Sequence, residues 1–438
     1  MAVSGRLALL AFFGAAAVVI VGVAGVSGSV AGRAVFAFDG LLLAAVLVDL
    51  ALAGSVRQLK LARNGDRSVR LGETAAVNLR IANASNRRVR ALVRDAWSPS
   101  AGAVRSRTEI DLPAGERRLI TTTLVPTRRG DRRADRVTVR SFGPLGLAGR
   151  QGGHQVPWTL RVLPPFASRK HLPSKLARLR DLDGRSAVLI RGQGTEFDSL
   201  REYVPGDDVR SIDWRATARA ADVVVRTWRP ERDRSVVLVL DTGRTCAGRV
   251  GDAPRLDSAM DAALLLAALA TRAGDRVDLL AYDREVRASV QARSTTEVLP
   301  SLVQAMAPLE PRLVEANWDG LTAEVLRRAR HRSLIVLLTA LDPAPVENGL
   351  LPILGRLTSR HRVVLASVAD PRVAEMARGR GDAEAVYEAA AAARTSLDRG
   401  RVSARLSRLG VMTVEGTPAD LPPRLADTYL DLKASGRL

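Results

Sequence analysis

The chain of 438 residues holds a single cysteine, Cys246. No internal disulfide and no multi-cysteine metal site can therefore form, and the usage suits a reducing compartment. Histidine is nearly as scarce, and none of the four lies at ligand spacing from another His or from the Cys. His331 and His361 each follow an expected helix end and precede an apolar strand. A cationic side chain is favoured there, so a structural role is the reading for both. No Gly-Lys-Ser/Thr follows Gly192-x-Gly194, which excludes a phosphate-binding loop at that place. Acidic residues are outnumbered by basic ones, 46 against 66, giving a net charge of +20. Such a balance favours anionic partners, either acidic lipid or nucleic acid. The arginines are spread along the whole chain, however, and no DNA- or RNA-binding motif accompanies them. Specific nucleic-acid recognition is therefore not expected.

Long apolar runs occur only near the start. Leu7–Val26 carries no charge. At about 1.5 Å per residue, some 20 residues cross a hydrocarbon core of about 30 Å. A signal peptide would have a shorter apolar region. A second apolar run, Ala34–Ala53, follows a short linker, so a two-helix membrane hairpin is expected. It contains Asp39 and Asp49, read as lying off centre and reaching toward headgroups, with a partner's helix as the alternative for Asp49. Beyond it come Arg57, Lys60, Arg63, Arg67 and Arg70, while the loop Ser27–Arg33 holds Arg33 alone. The positive-inside rule then puts both termini and the soluble body in the cytoplasm of a multi-pass membrane protein. The cluster should also attract anionic lipid headgroups of the bilayer.

Residues from about 66 to 165 alternate in the manner of half-buried strands, as at Val77, Leu79 and Ile81 and again at Val137 and Val139. Turn signals at Asn83–Asn86 and Pro113–Gly115 separate them, so a small all-β sandwich is expected, serving as an interaction module or spacer. Pro164–Pro165 closes it, and a basic linker with room for a helix follows to about Arg180. From Ser235 onward strands alternate with helices. Strand candidates are Val236–Leu240, Val277–Tyr282, Leu334–Leu338, Val363–Val368 and Val411–Val414. Helices are expected over Leu256–Ala273, Thr296–Met306, Gly320–Arg330, Val346–Ser359, Asp382–Leu409 and Leu421–Lys433. This order predicts a doubly wound α/β sheet. The expected division is a hairpin over 1–56, a β domain over 57–165, a linker with a charged segment over 166–234, and the α/β domain over 235–438.

In open parallel sheets ligands bind beyond the carboxyl ends of strands. Asp241, followed by Thr242, Gly243, Arg244 and Thr245, stands at such an end. The segment leading to it holds Gly192, Gly194, Glu196, Phe197, Arg201, Tyr203, Gly206, Asp207, Asp208, Arg210, Asp213, Trp214 and Arg219. Its carboxylates could do acid–base work. Its interleaved arginines favour an ion-pair network that pins the segment to the sheet. Trp214 and Trp228 are read as core rather than ligand platforms. Cys246 lacks a neighbouring His in sequence, which argues against a thiol enzyme.

In order and spacing this signature resembles that of the bacterial family called domain of unknown function fifty-eight. The layout of hairpin, β domain and α/β domain is similar to that family too. The resemblance implies a von Willebrand factor A-like fold for the last domain. It also implies a metal pattern of Asp-x-Ser-x-Ser, a later Thr and a later Asp. Asp241 and Thr245 match it, with Asp342 as a displaced substitute. Gly243, the Ala316–Asp319 loop and Ala340 depart from it, so no cofactor is expected, with Mg²⁺ at a degraded site as the exception. Genes of this family commonly sit beside MoxR-type AAA+ ATPases. The expected function is thus a membrane-anchored, non-catalytic adaptor for such an ATPase in a chaperone-like or envelope-assembly system, docking through Arg244 and Arg249. The alternative is a metal-dependent hydrolase using Asp241 and the Asp207–Asp213 cluster.

Overall fold

A computed structural model of the chain describes residues 2–23, 28–189, 196–220, 222–229, 234–291 and 296–438. Gly192 and Gly194 lie outside the described residues. The chain divides into two compact units, Met1–Leu163 and Pro164–Leu438.

The first unit begins with two apolar helices, Gly5–Val23 and Gly28–Leu52. The stretch Gly32–Gln58 is long and apolar enough to cross a membrane, and Gly5–Ile20 is a shorter apolar helix. The Phe38 ring lies against Gly14, where a side chain would collide with it. Arg33, expected in a loop, is already inside the second helix and donates to the Ser29 carbonyl. Asp49 does not reach toward headgroups. It is fully buried. Its carboxylate accepts the backbone N–H groups of Leu145 (2.8 Å), Leu147 (2.7 Å) and Ala148 (2.9 Å). The turn Gly143–Leu147 and the strand residue after it supply these donors, and Gly143 sits against the Asp49 carboxylate where no Cβ would fit.

The β part of this unit has a three-stranded antiparallel sheet, Leu59–Gly65, Ala75–Asn83 and Arg117–Leu124. It shares an apolar core with a larger sheet built around the strand Gly130–Phe142, with Leu79, Ile81, Val93, Ile110 and Val139 among its members. Arg63, expected to face lipid, instead points into this interior. Its side chain is 1% exposed and pairs with Asp95. Asp95 also accepts the Trp97 indole N–H and the Thr122 hydroxyl, each at 3.1 Å. One carboxylate on the larger sheet thereby holds two residues of the smaller. Arg67 lies over the Trp158 ring at 4.7 Å.

The second unit is organised by a six-stranded sheet. Its order is Val286–Gln291, Arg276–Tyr282, Ser235–Asp241, Ser333–Leu338, Arg362–Val368 and Val411–Gly416. Numbered along the chain this is 3-2-1-4-5-6, parallel throughout except for the antiparallel edge strand Val286–Gln291. Strands buried on both faces must be apolar along their whole length, and Val236–Leu240 is buried at every position. One face packs on Leu321, Val325, Leu354, Leu357, Val402 and Leu406 of three helices. The helices Arg255–Arg272 and Leu421–Ala434 pack against the sheet as well and against each other. The latter helix is fastened by a buried cluster, in which Lys433 donates to Asp275 at 3.0 Å and the Tyr429 hydroxyl donates to the same carboxylate.

The single helix expected over Val346–Ser359 begins instead with a π turn, Val346–Leu350, before an α-helix over Leu351–Thr358. Pro352 has no N–H to donate back one turn, which disfavours regular α geometry there. The charged segment forms its own antiparallel hairpin, Glu196–Glu202 with Val224–Arg229.

Removing Asp95 should strand a buried guanidinium. Asp95→Ala is expected to cost about 3–5 kcal/mol, read as a lowered urea midpoint of the detergent-solubilised full chain by intrinsic tryptophan fluorescence. A midpoint unchanged from wild type would show that Arg63 and Asp95 do not depend on each other.

Candidate functional site

In this strand order the chain runs from the first strand to the second and third on one side and then crosses over to the fourth on the other. The crevice between the first and fourth strands is the topological switch point. Asp241 ends the first strand and Thr339 follows the fourth, and the structure joins them. Asp241 is 4% exposed. One of its oxygens accepts the Thr245 and Thr339 hydroxyls, both at 2.6 Å. The other accepts the Gly243 N–H at 2.7 Å. A cavity of about 10 Å³, bounded by Asp241, Tyr282, Trp318 and Thr339, adjoins them. It has room for about one water molecule.

Gly243 is glycine for a local reason. The loop leading to Asn317 crosses directly over it, with Arg244 N–H donating to the Val314 carbonyl at 2.9 Å. A Cβ on Gly243 would meet that carbonyl oxygen at 2.9 Å and Asp241 Oδ1 at 3.0 Å. Where the resemblance implies a serine hydroxyl as metal ligand, Gly243 offers Asp241 a backbone N–H donor. Asn317, where the resemblance implies a Thr loop, caps the helix Trp318–Arg328 by accepting the Gly320 N–H at 3.0 Å.

Asp342 is not brought to Asp241's hydroxyls as a third oxygen ligand. Its carboxylate faces Arg255 at 3.3 Å and Arg399 at 3.5 Å. Mg²⁺ demands near-octahedral oxygen coordination. One carboxylate already accepting three hydrogen bonds, two hydroxyls and an N–H do not fit a resident Mg²⁺. Cys246 is buried beside these residues. Burial, then the Asp241 charge, push its thiol well above the usual range, so it is held protonated and unreactive.

Two residues of this edge escaped the reading of the sequence. Thr339 was visible only as the residue after a strand. Asp283 likewise follows the second strand. It is fully buried and accepts the Thr242 hydroxyl (3.1 Å) and the Arg287 guanidinium (2.8 Å). The signal common to both is position, the first polar residue past an apolar run.

The signature residues form a local network. Arg201 donates to Asp207 at 2.6 Å, and Asp207 also accepts the Val204 N–H. Asp208 accepts the Arg210 N–H at 3.0 Å. Asp213 caps the short helix Trp214–Thr217 and pairs with Arg226 at 2.8 Å. The Arg226 hydrogen bond, then the backbone N–H groups, hold the Asp213 carboxyl below its ordinary value. Gly206 takes a left-handed turn, φ +109°, that favours glycine. These ion pairs close within the segment and do not pin it to the sheet. Glu196 and Phe197 open the first hairpin strand, and Tyr203 N–H bonds to the Val223 carbonyl at 2.7 Å. Arg219 is exposed, and among the described residues it forms no ion pair. Trp214, read as core, is 69% exposed. The short helix it opens has too few neighbours to bury it. Of the expected docking pair, Arg244 pairs with Glu315 at 2.9 Å and Arg249 donates to the Asp252 carbonyl. Both remain on the surface.

Residues 199–407 match the family model described as protein of unknown function DUF58. An uncharacterised protein of Mycobacterium tuberculosis is 28% identical over 196 residues, which cover 44% of this chain and 61% of that protein. The uncharacterised protein YeaD of Bacillus subtilis is 26% identical over 113 residues, covering 26% of this chain and 28% of its own length. The chain thus spans less than two thirds of the length of these relatives. Among solved structures, the CARDB domain of PF1109 from Pyrococcus furiosus aligns with 24% of this chain and 94% of its own at 15% identity, with a TM-score of 0.18.

The Asp241 cluster joins the first and fourth strands through Thr339 alone among its hydroxyls. Thr339→Val keeps the shape and removes one donor to a buried carboxylate. It should cost about 1.5–3 kcal/mol, the range for hydrogen bonds to charged groups, measured by chemical denaturation of the full chain. A loss below about 0.5 kcal/mol, the level of an ordinary surface substitution, would mean that water replaces the hydroxyl without penalty.

Proposed function

We propose that this chain is a membrane-anchored, non-catalytic adaptor whose α/β domain is of the von Willebrand factor A type. The 3-2-1-4-5-6 order with an antiparallel third strand, and an aspartate ending the first strand, support that assignment. The observation that carries the adaptor reading is the state of Asp241. Its oxygens are engaged by three donors of the chain itself, leaving no poised base at the switch point. The edge then offers loops on a rigid sheet, which is where binding function resides. A protein without a phosphate-binding loop draws energy-driven work from a partner, and resemblance to the family supplies a MoxR-type AAA+ ATPase. The apolar helices hold this body at the cytoplasmic face of the membrane, with both ends of a two-helix hairpin on that side.

The hydrolase reading needs free carboxylates. Asp207, Asp208 and Asp213 are each committed to an arginine or to a backbone N–H within the hairpin. Nothing in their geometry directs one toward a substrate.

The adaptor reading is tested with the full chain in mild detergent, used to retain the ATPase across a salt series. Retention should fall as salt rises, since exposed charges are screened beyond about 10 Å at 0.1 M. Arg244→Glu with Arg249→Glu should weaken it at low salt. Equal retention by both forms at every salt concentration would move the docking face elsewhere, and no retention by either would reject the adaptor. For the metal reading, calorimetric titration of Mg²⁺ and Mn²⁺ into the same preparation should give no micromolar binding. Micromolar binding abolished by Asp241→Ala would restore the hydrolase.

A further inference from the structure

The end of the second apolar helix is surrounded by arginines that the fold positions individually. Arg87 Nη1 donates to the Ala51 carbonyl at 3.0 Å. Arg150 Nε donates to the Leu50 carbonyl at 3.2 Å. The last carbonyls of a helix carry partial negative charge and lack intrahelical partners, so each guanidinium is held there by both effects. Each bond uses one nitrogen and leaves the others free to donate. Arg6, at the start of the first helix, brings its guanidinium beside Gly146. All three side chains belong to exposed residues, and among the described residues none of them pairs with a carboxylate. By contrast, Arg88 is neutralised by Asp111 and Arg161 by Asp131.

Their level is fixed as well. Leu47, Val48 and Leu52, on the same helix end, are each more than half exposed. They are the last exposed large apolar side chains before the β part begins. Asp49 clamps the turn Gly143–Leu147 against this end, and the turn presents Leu145, 49% exposed. The strand Ala2–Val3 pairs with Ala148–Gln155, and Ser4 N–H donates to the Leu147 carbonyl at 3.0 Å, so the start of the first helix is held at the same turn. Exposed apolar side chains and these guanidiniums are therefore gathered at one end of the two apolar helices.

We propose that Arg87, Arg150 and Arg6 form a binding site for the phosphate of an anionic phospholipid at the end of the second helix. The inference rests on the membrane-anchored reading. A guanidinium fork matches the oxygens of a phosphate, and an anionic lipid brings that group to the required height while its chains cover Leu47, Val48 and Leu52. Of the basic residues over 57–70, Arg63 is buried and paired with Asp95, and Arg67 lies over the Trp158 ring.

The test uses the full chain purified in neutral detergent. Native mass spectrometry counts retained phosphatidylglycerol against phosphatidylcholine in wild type, in Arg87→Gln/Arg150→Gln, and in Arg80→Gln/Arg94→Gln as a variant of equal charge. The expected result is a preference for phosphatidylglycerol in wild type, weakened about fivefold per guanidinium removed in the first variant and unchanged in the second. Equal retention by wild type and the first variant would overturn the site, and so would equal loss in both variants. Displacement by excess glycerol phosphate would assign the site to a free phosphate instead. Alkaline carbonate extraction of native membranes separates the two readings: release of wild type into the soluble fraction would reject membrane anchoring itself, whereas retention with no lipid preference rejects only this site.

Discussion

A parallel sheet covered on both faces favours apolar residues along its strands and polar groups at the strand ends. In this chain that constraint concentrates Asp241, Asp283, Thr339 and Asp342 on one edge of one sheet. Carboxylates buried or part-buried at such an edge must find partners, because burying a bare charge is costly. Each does so differently. Asp241 takes two hydroxyls and an N–H, Asp283 takes a hydroxyl and an arginine, and Asp342 takes two arginines. The edge is thereby self-satisfied. Its charges are answered from within the domain.

The strands that make this edge were legible because burial on both faces writes itself as an unbroken apolar run. Val236–Leu240 is expected from sequence and is the core of the strand Ser235–Asp241. The long helix expected over Asp382–Leu409 is found over Ala383–Arg408, started by Asp382 accepting the Ala385 N–H. Elements at edges were less legible. Val286–Gln291 is half-polar and pairs on one side only, so it carries no continuous run. The hairpin of the charged segment was hidden for the same reason: its alternation is diluted by charge, and its partner strands lie more than twenty residues apart. Partner choice was the least legible of all. Sequence spacing can place an aspartate at a strand end, but which arginine or threonine meets it depends on loops that cross from elsewhere, as Val314 does over Gly243.

Arginine abundance also proved to be several different things. Arg63 is an interior residue, its guanidinium lowered from its ordinary value by burial and raised back by Asp95. Arg201 and Arg226 brace a hairpin. Arg255 and Arg399 converge on one carboxylate behind the switch point. A net charge of +20 therefore overstates the free cationic surface. What remains free gains in significance, because it is what a partner or a membrane would meet.

Asp49 shows how one buried carboxylate can set the geometry of an anchor. An ionised aspartate near the end of an apolar helix would ordinarily be tolerated only by reaching water or a countercharge. Here the backbone N–H groups of Leu145, Leu147 and Ala148 take that place, and such a set of donors is geometrically strict, because the chain must wrap the carboxylate for all three to reach. The helix end and the strand Ala148–Gln155 are then fixed to one another without a flexible linker. A flexible tether would let the β part drift from the helix, whereas this arrangement holds it at a set distance from the last apolar turn. The consequence is mechanical. The β part becomes an extension of the helix end, and whatever orients the helix in its surroundings orients the β part with it.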